Sequence, residues 1–203
     1  MNDIMNRYKI RKEAFFRKLA NYVLVSNGRI FSANSLQKYM QAEKVSCSLN
    51  TIMKYLSYLE EAYVICTLPQ YSTKAKRQLK YYVKIYDEDV AFNTIRQINN
   101  RFDLTHNLEN VVYNELIYRG YELYVLNKDG KEIDFLAIKN GKEYLIQVAY
   151  SVAEASTYDR EFALFNTLDQ ARAKILITND DVDFSTSTVR HIKLKDFLTM
   201  EDF

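Results

Sequence analysis

The sequence predicts an α/β chain in two parts. Residues 1–90 read as three helices followed by a basic hairpin, and residues 91–203 as an α-β-β-β-α-β unit built on a mixed sheet. Three observations carry that prediction. Apolar spacing along the chain changes from helical to alternating and back. Asn140-Gly141 stands between two alternating runs, a strong hairpin signal because a type I′ turn needs positive φ at both central residues. Charge also divides the chain. Residues 1–86 hold 15 Lys and Arg against 5 Asp and Glu, a net of +10, whereas residues 87–203 hold 13 against 21, a net of −8. Such asymmetry points to two domains with different partners, the basic one suited to nucleic acid. The plain alternative is that the two halves attract each other.

Composition narrows the classes. A chain of 203 residues that is 48% hydrophobic can pack cores, which argues against general disorder. No apolar run approaches the roughly 20 residues of a membrane span, and no signal peptide opens the chain, so a cytoplasmic protein without a membrane partner is expected. Cys47 and Cys66 lie far apart, which suits a reducing compartment and argues against a zinc site or disulfide framework. His106 and His191 lack ligand spacing and receive no chemistry.

In the basic half, residues 9–26 put Phe15, Leu19, Tyr22 and Val23 at helical spacing, and Asn27-Gly28 reads as the end of that helix. A second helix starts near Ser32 or Ser35 and runs to about Lys44. Ser46 or Ser48 caps a third, which reaches Tyr63 with Leu49, Ile52, Met53, Leu56, Leu59 and Tyr63 on its stripe. Asn50, Thr51, Lys54, Tyr55 and Tyr58 fall largely outside that stripe. Val64–Tyr71 and Tyr81–Tyr86 read as paired strands, the first an edge strand because it holds Pro69. Between them, Lys74, Lys76, Arg77 and Lys80 repel one another without a partner. Three helices and a basic hairpin outline a winged helix, whose third helix enters the major groove while the hairpin touches phosphates. Asn50 and Lys54 are then the candidate groove contacts, and Lys74, Lys76, Arg77 and Lys80 the candidate phosphate contacts. Glu60 and Glu61 disfavour deep insertion of the far end of that helix.

In the acidic half, a short helix begins near Asp89. Thr105–Arg119 is a longer one, with Leu108, Val111, Val112, Glu115, Leu116 and Tyr118 lining or flanking its inner face and Gly120 stopping it. Three strands follow at Tyr121–Asn127, Lys131–Lys139 and Lys142–Tyr150. A helix over Glu154–Leu168 turns Phe162, Phe165 and Leu168 inward. Strands at Ala173–Thr178 and Val189–Leu194 and a helix over Lys195–Phe203 complete the unit. A two-residue turn at Asn140-Gly141 sets Leu136 opposite Leu145, Asp134 opposite Gln147 and Glu132 opposite Ala149. Asp134, Gln147 and Ala149 therefore share a face. A carboxylate in a hairpin that is apolar on both faces needs a reason.

Asp134 followed by Gln147-Val148-Ala149, within that element order, resembles the core of the PD-(D/E)XK nuclease superfamily. There an Asp on one strand and a Glu-x-Lys or Gln-x-Lys on the next hold a metal and a catalytic lysine. The resemblance implies a site of Asp134 and Gln147, with Glu115 or Glu109 approaching from the preceding helix, and Mg²⁺ on Asp134 if the site is active. Ala149 stands in the lysine position, so positioned acid–base help typically worth ~10²–10⁴ in rate is missing. Lys131 and Lys142 adjoin turns and are expected to be exposed. The resemblance thus implies a degenerate, inactive site. The plain alternative keeps Asp134 satisfied by the backbone or by tyrosine hydroxyls, with Gln147 bonded to it across the ladder.

A wider resemblance covers nearly the whole chain. Glu109–Leu116, Arg119-Gly120-Tyr121-Glu122, Gly130–Phe135 and Ile146–Ser151, preceded by Tyr55–Tyr63 and Lys84–Asp89, are similar to the C-terminal region of a large prokaryotic group of AAA-type ATPases. That region is a winged-helix segment followed by a domain of unknown function. Members place a P-loop ATPase domain ahead of it. The four glycines here form no Gly-x-x-x-x-Gly-Lys-[Ser/Thr], so ATP is expected on a separate ATPase domain absent from this chain. The resemblance implies an accessory module without catalysis of its own. Its expected partners are duplex DNA, the ATPase domain of the same full-length protein and further copies of itself. Two alternatives stand beside it, an active Mg²⁺-dependent DNA endonuclease and a protein-interaction module that binds no nucleic acid.

Overall fold

The computed structural model describes residues 1–42, 45–71, 82–96, 103–128, 131–168 and 171–202. The chain is α/β, with helices and a mixed β-sheet. It divides into two compact units, Met1–Leu68 with Lys74–Asp103, and Pro69–Thr73 with Leu104–Phe203. No helix among the described residues is long and apolar enough to cross a membrane.

The first unit runs α1 (Asn2–Arg7), α2 (Glu13–Val25), β1 (Arg29–Ser32), α3 (Ala33–Ala42), α4 (Leu49–Glu61), β2 (Ile65–Pro69), β3 (Tyr82–Asp87) and α5 (Ala91–Arg96). The helical period buries Phe16, Leu19, Ala20 and Val23 of α2 against Leu36 and Met40 of α3 and Ile52, Leu56 and Leu59 of α4. Each of these side chains larger than alanine contributes about 1.5–3 kcal/mol by leaving water. Ser48 caps α4, its Oγ accepting from the Thr51 N–H at 3.2 Å, and Ser32 does the same for Ser35 ahead of α3. Tyr55, expected outside the α4 stripe, is buried against Phe15 and Phe16.

Three features of this unit differ from the sequence reading. The helix expected over 9–26 begins only at Glu13, and a further helix, α1, precedes it, the two being separated by a connector in which Lys9 takes φ 48°. β1 was not foreseen. It pairs antiparallel with β3, giving the order β1-β3-β2, so its partner lies some fifty residues away and no local pattern announces it. Helix α5 is grouped with this unit, its Asn93 donating to the Leu24 carbonyl at 2.9 Å, a contact that charge counting does not register. Pro69 ends β2, an edge strand, as expected.

The second unit runs α6 (Leu104–Tyr118), β4 (Glu122–Lys128), β5 (Lys131–Lys139), β6 (Lys142–Val148), α7 (Ala155–Asn166), β7 (Ala173–Thr178), β8 (Arg190–Lys193) and α8 (Leu194–Thr199). The sheet order is β4-β5-β6-β7-β8, antiparallel through β6 and parallel from β6 onward. Asn140 and Gly141 have φ 52° and 74°, the conformation the Asn-Gly turn requires, and the register sets Leu136 opposite Leu145. One face of the sheet packs Leu136, Leu145, Ala149 and Leu176 against Phe162 and Phe165 of α7. The other face meets α6, whose Tyr113 ring lies 6.2 Å from that of Phe135. Tyr118, expected to line or flank the inner face of α6, is 86% exposed because it falls on the last turn, beyond the packed stripe.

Candidate functional site

The site builds from an irregularity in β5. Tyr124 faces Leu136 and Leu126 faces Ile133, so two residues of β5, Asp134 and Phe135, stand opposite the single Val125 of β4. That is a β-bulge, which re-aims side chains and interrupts the ladder. On the other side of β5 the regular pairing runs to Phe135 opposite Ile146. Beyond it, side chains take over the backbone bonds. The Asp134 N–H donates to Gln147 Oε1 at 3.2 Å, and the Val148 N–H donates to Asp134 Oδ2 at 3.0 Å. Asp134 and Gln147 thus complete the ladder where the bulge has opened it, and both are buried.

Glu161 of α7 joins them. It is buried, and its carboxyl is held above the usual range, chiefly by burial. The exposed Arg160, 2.8 Å away, opposes that rise, nearby Asp134 adds to it, and a hydrogen bond from Gln147 opposes it. Gln147 thus accepts from the Asp134 N–H, while its amide is among the groups that hold the Glu161 carboxyl down. A glutamate at 147 would lose the donor and face a second carboxylate. An open cleft of about 360 Å³, lined in part by Glu132, Gln147, Arg160 and Glu161, reaches this point. The spacing of Glu161, Phe165 and Leu168 put Glu161 on the inward stripe of α7, a legible signal that the sequence reading passed over.

The residues present do not fit a magnesium centre as arranged. Among the described residues no three His, Cys, Asp or Glu side chains converge to hold a metal ion. At Asp134 one carboxylate oxygen already accepts a backbone N–H, and Gln147 Oε1 accepts another. Ala149, two residues beyond Gln147, lies within the apolar cluster under α7.

The remaining candidates stand elsewhere. Glu115 pairs with Arg119 at 2.6 Å, and that arginine donates to the Phe197 carbonyl and lies over the Phe197 ring. This joins α6 to α8 on the Phe135 face, whereas Asp134 lies on the face toward α7, so the structure does not bring Glu115 to Asp134. Glu109 is buried within α6. Lys142 is exposed beside the turn, opposite Lys139. In the first unit Asn50 and Lys54 are exposed on α4, and Lys54 lies 5.8 Å from the Tyr58 ring. Lys74, Lys76, Arg77 and Lys80 lie outside the described residues.

A second polar cluster forms beyond the ends of β6 and β7. Asp180 accepts from Ser151 Oγ at 2.6 Å, the Val152 N–H at 2.8 Å and Thr178 Oγ1 at 3.0 Å. Burial would raise its carboxyl, but these bonds, with His191 nearby, hold it below the usual range. His191 accepts the Phe184 N–H at Nδ1, so the hydrogen-bond network assigns its proton to Nε2, 2.8 Å from Thr178 Oγ1. Burial pushes the His191 imidazole below its ordinary value, against Asp183 and Asp180. The cluster fastens the loop over residues 179–189, and its members are too scattered in sequence to form a motif.

The fold defines an α/β chain whose mixed sheet holds buried Asp134 and Gln147 at a bulge, with Glu161 of α7 beside them. Comparison with known proteins finds similarity over two stretches of the chain. Residues 105–197 match a family described as "Domain of unknown function (DUF4143)", and residues 1–100 match "Domain of unknown function (DUF8612)". An uncharacterized protein of Haemophilus influenzae is 30% identical over 178 residues, covering 88% of this chain and 44% of that protein. An uncharacterized protein of Methanocaldococcus jannaschii is 28% identical over 190 residues, covering 88% of this chain and 42% of that protein. The chain thus spans less than half the length of these curated relatives. No solved structure matches.

Proposed function

We propose that this chain is an accessory region of an AAA-type ATPase, composed of a DNA-binding winged helix and a PD-(D/E)XK nuclease-like domain that does not cut. The observation that carries the reading is the use made of Asp134 and Gln147. Their polar atoms replace missing ladder partners, and Ala149 offers no cation. The helix, three strands, helix and strand of the second unit, with its antiparallel-then-parallel sheet, support the nuclease-like part of the reading. Helices α2, α3 and α4 ahead of the β2 and β3 strands, with exposed Asn50 and Lys54 on α4, support the winged helix. The greater length of the relatives supports a larger parent protein in which ATP would be bound elsewhere.

One observation favours the endonuclease reading. Glu161 supplies a second buried carboxylate beside Asp134, so a rearrangement that freed both would offer hard oxygen ligands. A single experiment separates the two. A labelled duplex of about 20–30 base pairs, roughly two to three helical turns, is titrated with the full chain at two salt concentrations with magnesium, and the same tubes are run on a denaturing gel. Binding that weakens steeply with salt, with the duplex intact, is expected. Cleavage that needs magnesium and vanishes in Asp134→Ala would replace the proposal with the endonuclease. Absence of binding at low salt would leave the protein-interaction reading.

A further inference from the structure

We infer that the segment Arg7–Lys18 forms a second phosphate-binding surface of the first unit, lying alongside α4 and fitted to the backbone of duplex DNA; this rests on the reading that the first unit binds DNA. The expected contacts there are Asn50, Lys54 and the basic hairpin. The N-terminal segment reads as an ordinary helix and was assigned no contact. The structure shows more. Arg7, Lys9, Arg11, Lys12, Arg17 and Lys18 are all exposed, and the one acidic residue among them is Glu13. Among the described residues none of the six is in an ion pair. Six like charges within twelve residues repel one another and are relieved when phosphates bind.

The connector between α1 and α2 is fastened at both ends of α4. The Tyr8 ring stacks on Tyr58 at 3.8 Å and its hydroxyl donates to Glu61 at 2.6 Å, near the end of the helix. Lys12 Nζ donates to the Ser46 carbonyl at 3.0 Å, just ahead of the Ser48 cap. Between these anchors Ile10 turns into the core, which leaves Lys9 and Arg11 facing outward. Lys54, over the same Tyr58 ring, borders this segment. Arg11, Lys12 and Lys18 also line an open cleft of about 560 Å³. The cations therefore follow the flank of the helix proposed to face the groove, where adjacent phosphates would lie.

An anionic membrane is the other polyanion to weigh. Membrane-surface helices insert exposed aromatic or aliphatic side chains. Here Ile10, Phe15 and Phe16 are buried and Tyr8 is stacked, so the exposed positions offer charge without an apolar anchor. That favours DNA.

The test uses the full chain and a fluorescent duplex of about 20–30 base pairs, in two unrelated sequences. The variant combines Lys9→Asn, Arg11→Gln and Lys18→Gln; Asn tolerates the positive φ at position 9. The slope of log affinity against log salt should fall by about 3, near one per cation, equally for both sequences. The single Arg11→Gln should lower it by about 1, which keeps the test informative if circular dichroism shows the triple variant misfolded. A folded variant with unchanged slope and affinity overturns the inference while the DNA reading stands. If the wild type fails to bind at low salt, the DNA reading falls and this surface with it. Binding to phosphatidylserine vesicles that the variant loses, with no duplex binding, would reassign the segment to membranes and overturn it.

Discussion

The two polar clusters of the second unit are each built around a carboxylate and reach opposite electrostatic states. At Asp180, three donors converge on one carboxylate, which is held below its ordinary range despite partial burial. At Asp134, Gln147 and Glu161, donors are shared among three acceptor groups, and Glu161 is pushed upward. Burial raises both carboxyls; it prevails at the more deeply buried Glu161, whereas three converging donors overcome it at Asp180. Asp180 receives local donors from strand ends that meet there. The bulge in β5 creates backbone demand that Asp134 and Gln147 answer, which leaves Glu161 with a half-committed amide and an exposed arginine.

Three substitutions would break or sharpen that contrast. Asp180→Ala should cost most, about 3 kcal/mol, because it strands the Val152 N–H and two hydroxyls that now bond a charged acceptor. Urea unfolding at pH 7 measures it, and a loss under about 1 kcal/mol would show the cluster to be incidental. Gln147→Glu should cost about 2 kcal/mol in the same titration, since it removes the donor to Glu161 and sets a like charge beside it. A neutral outcome would mean the cleft admits enough water to screen the pair. The smallest effect concerns pH. The Glu161 carboxyl is raised above 4.5, so between that value and its folded value the native state holds a proton that the unfolded chain has lost. Stability should therefore fall as pH rises through that window. Glu161→Gln should remove this dependence in thermal melts and leave stability at pH 7 equal or slightly higher. A wild-type profile that is flat just above pH 4.5 would contradict the burial argument.

Much of the architecture was written locally. The strand β7 over Ala173–Thr178, the hairpin register about Asn140-Gly141, the Ser48 cap and the inward Phe162 and Phe165 each follow from a few consecutive residues. Turn geometry, alternation and capping are short-range, so sequence exposes them directly. The same locality placed Asp134 opposite Gln147 on one face, which is most of the candidate site.

The rest depends on residues that meet only when the chain is folded. The pairing of β1 with β3, the division that keeps α5 with the first unit, and the Arg119 bridge from Glu115 to Phe197 all join distant segments. The bulge at Asp134-Phe135 is a mismatch between two strands, so neither strand alone contains it. That mismatch decides how the polar atoms of Asp134 and Gln147 are used, and the packing of α7 on that face decides that Glu161 joins them. The sequence by itself determined which residues could form strands, helices and turns, and which polar groups lay on the buried face. Tertiary structure decided which donors reached which acceptors, because hydrogen bonding and desolvation depend on neighbours in space.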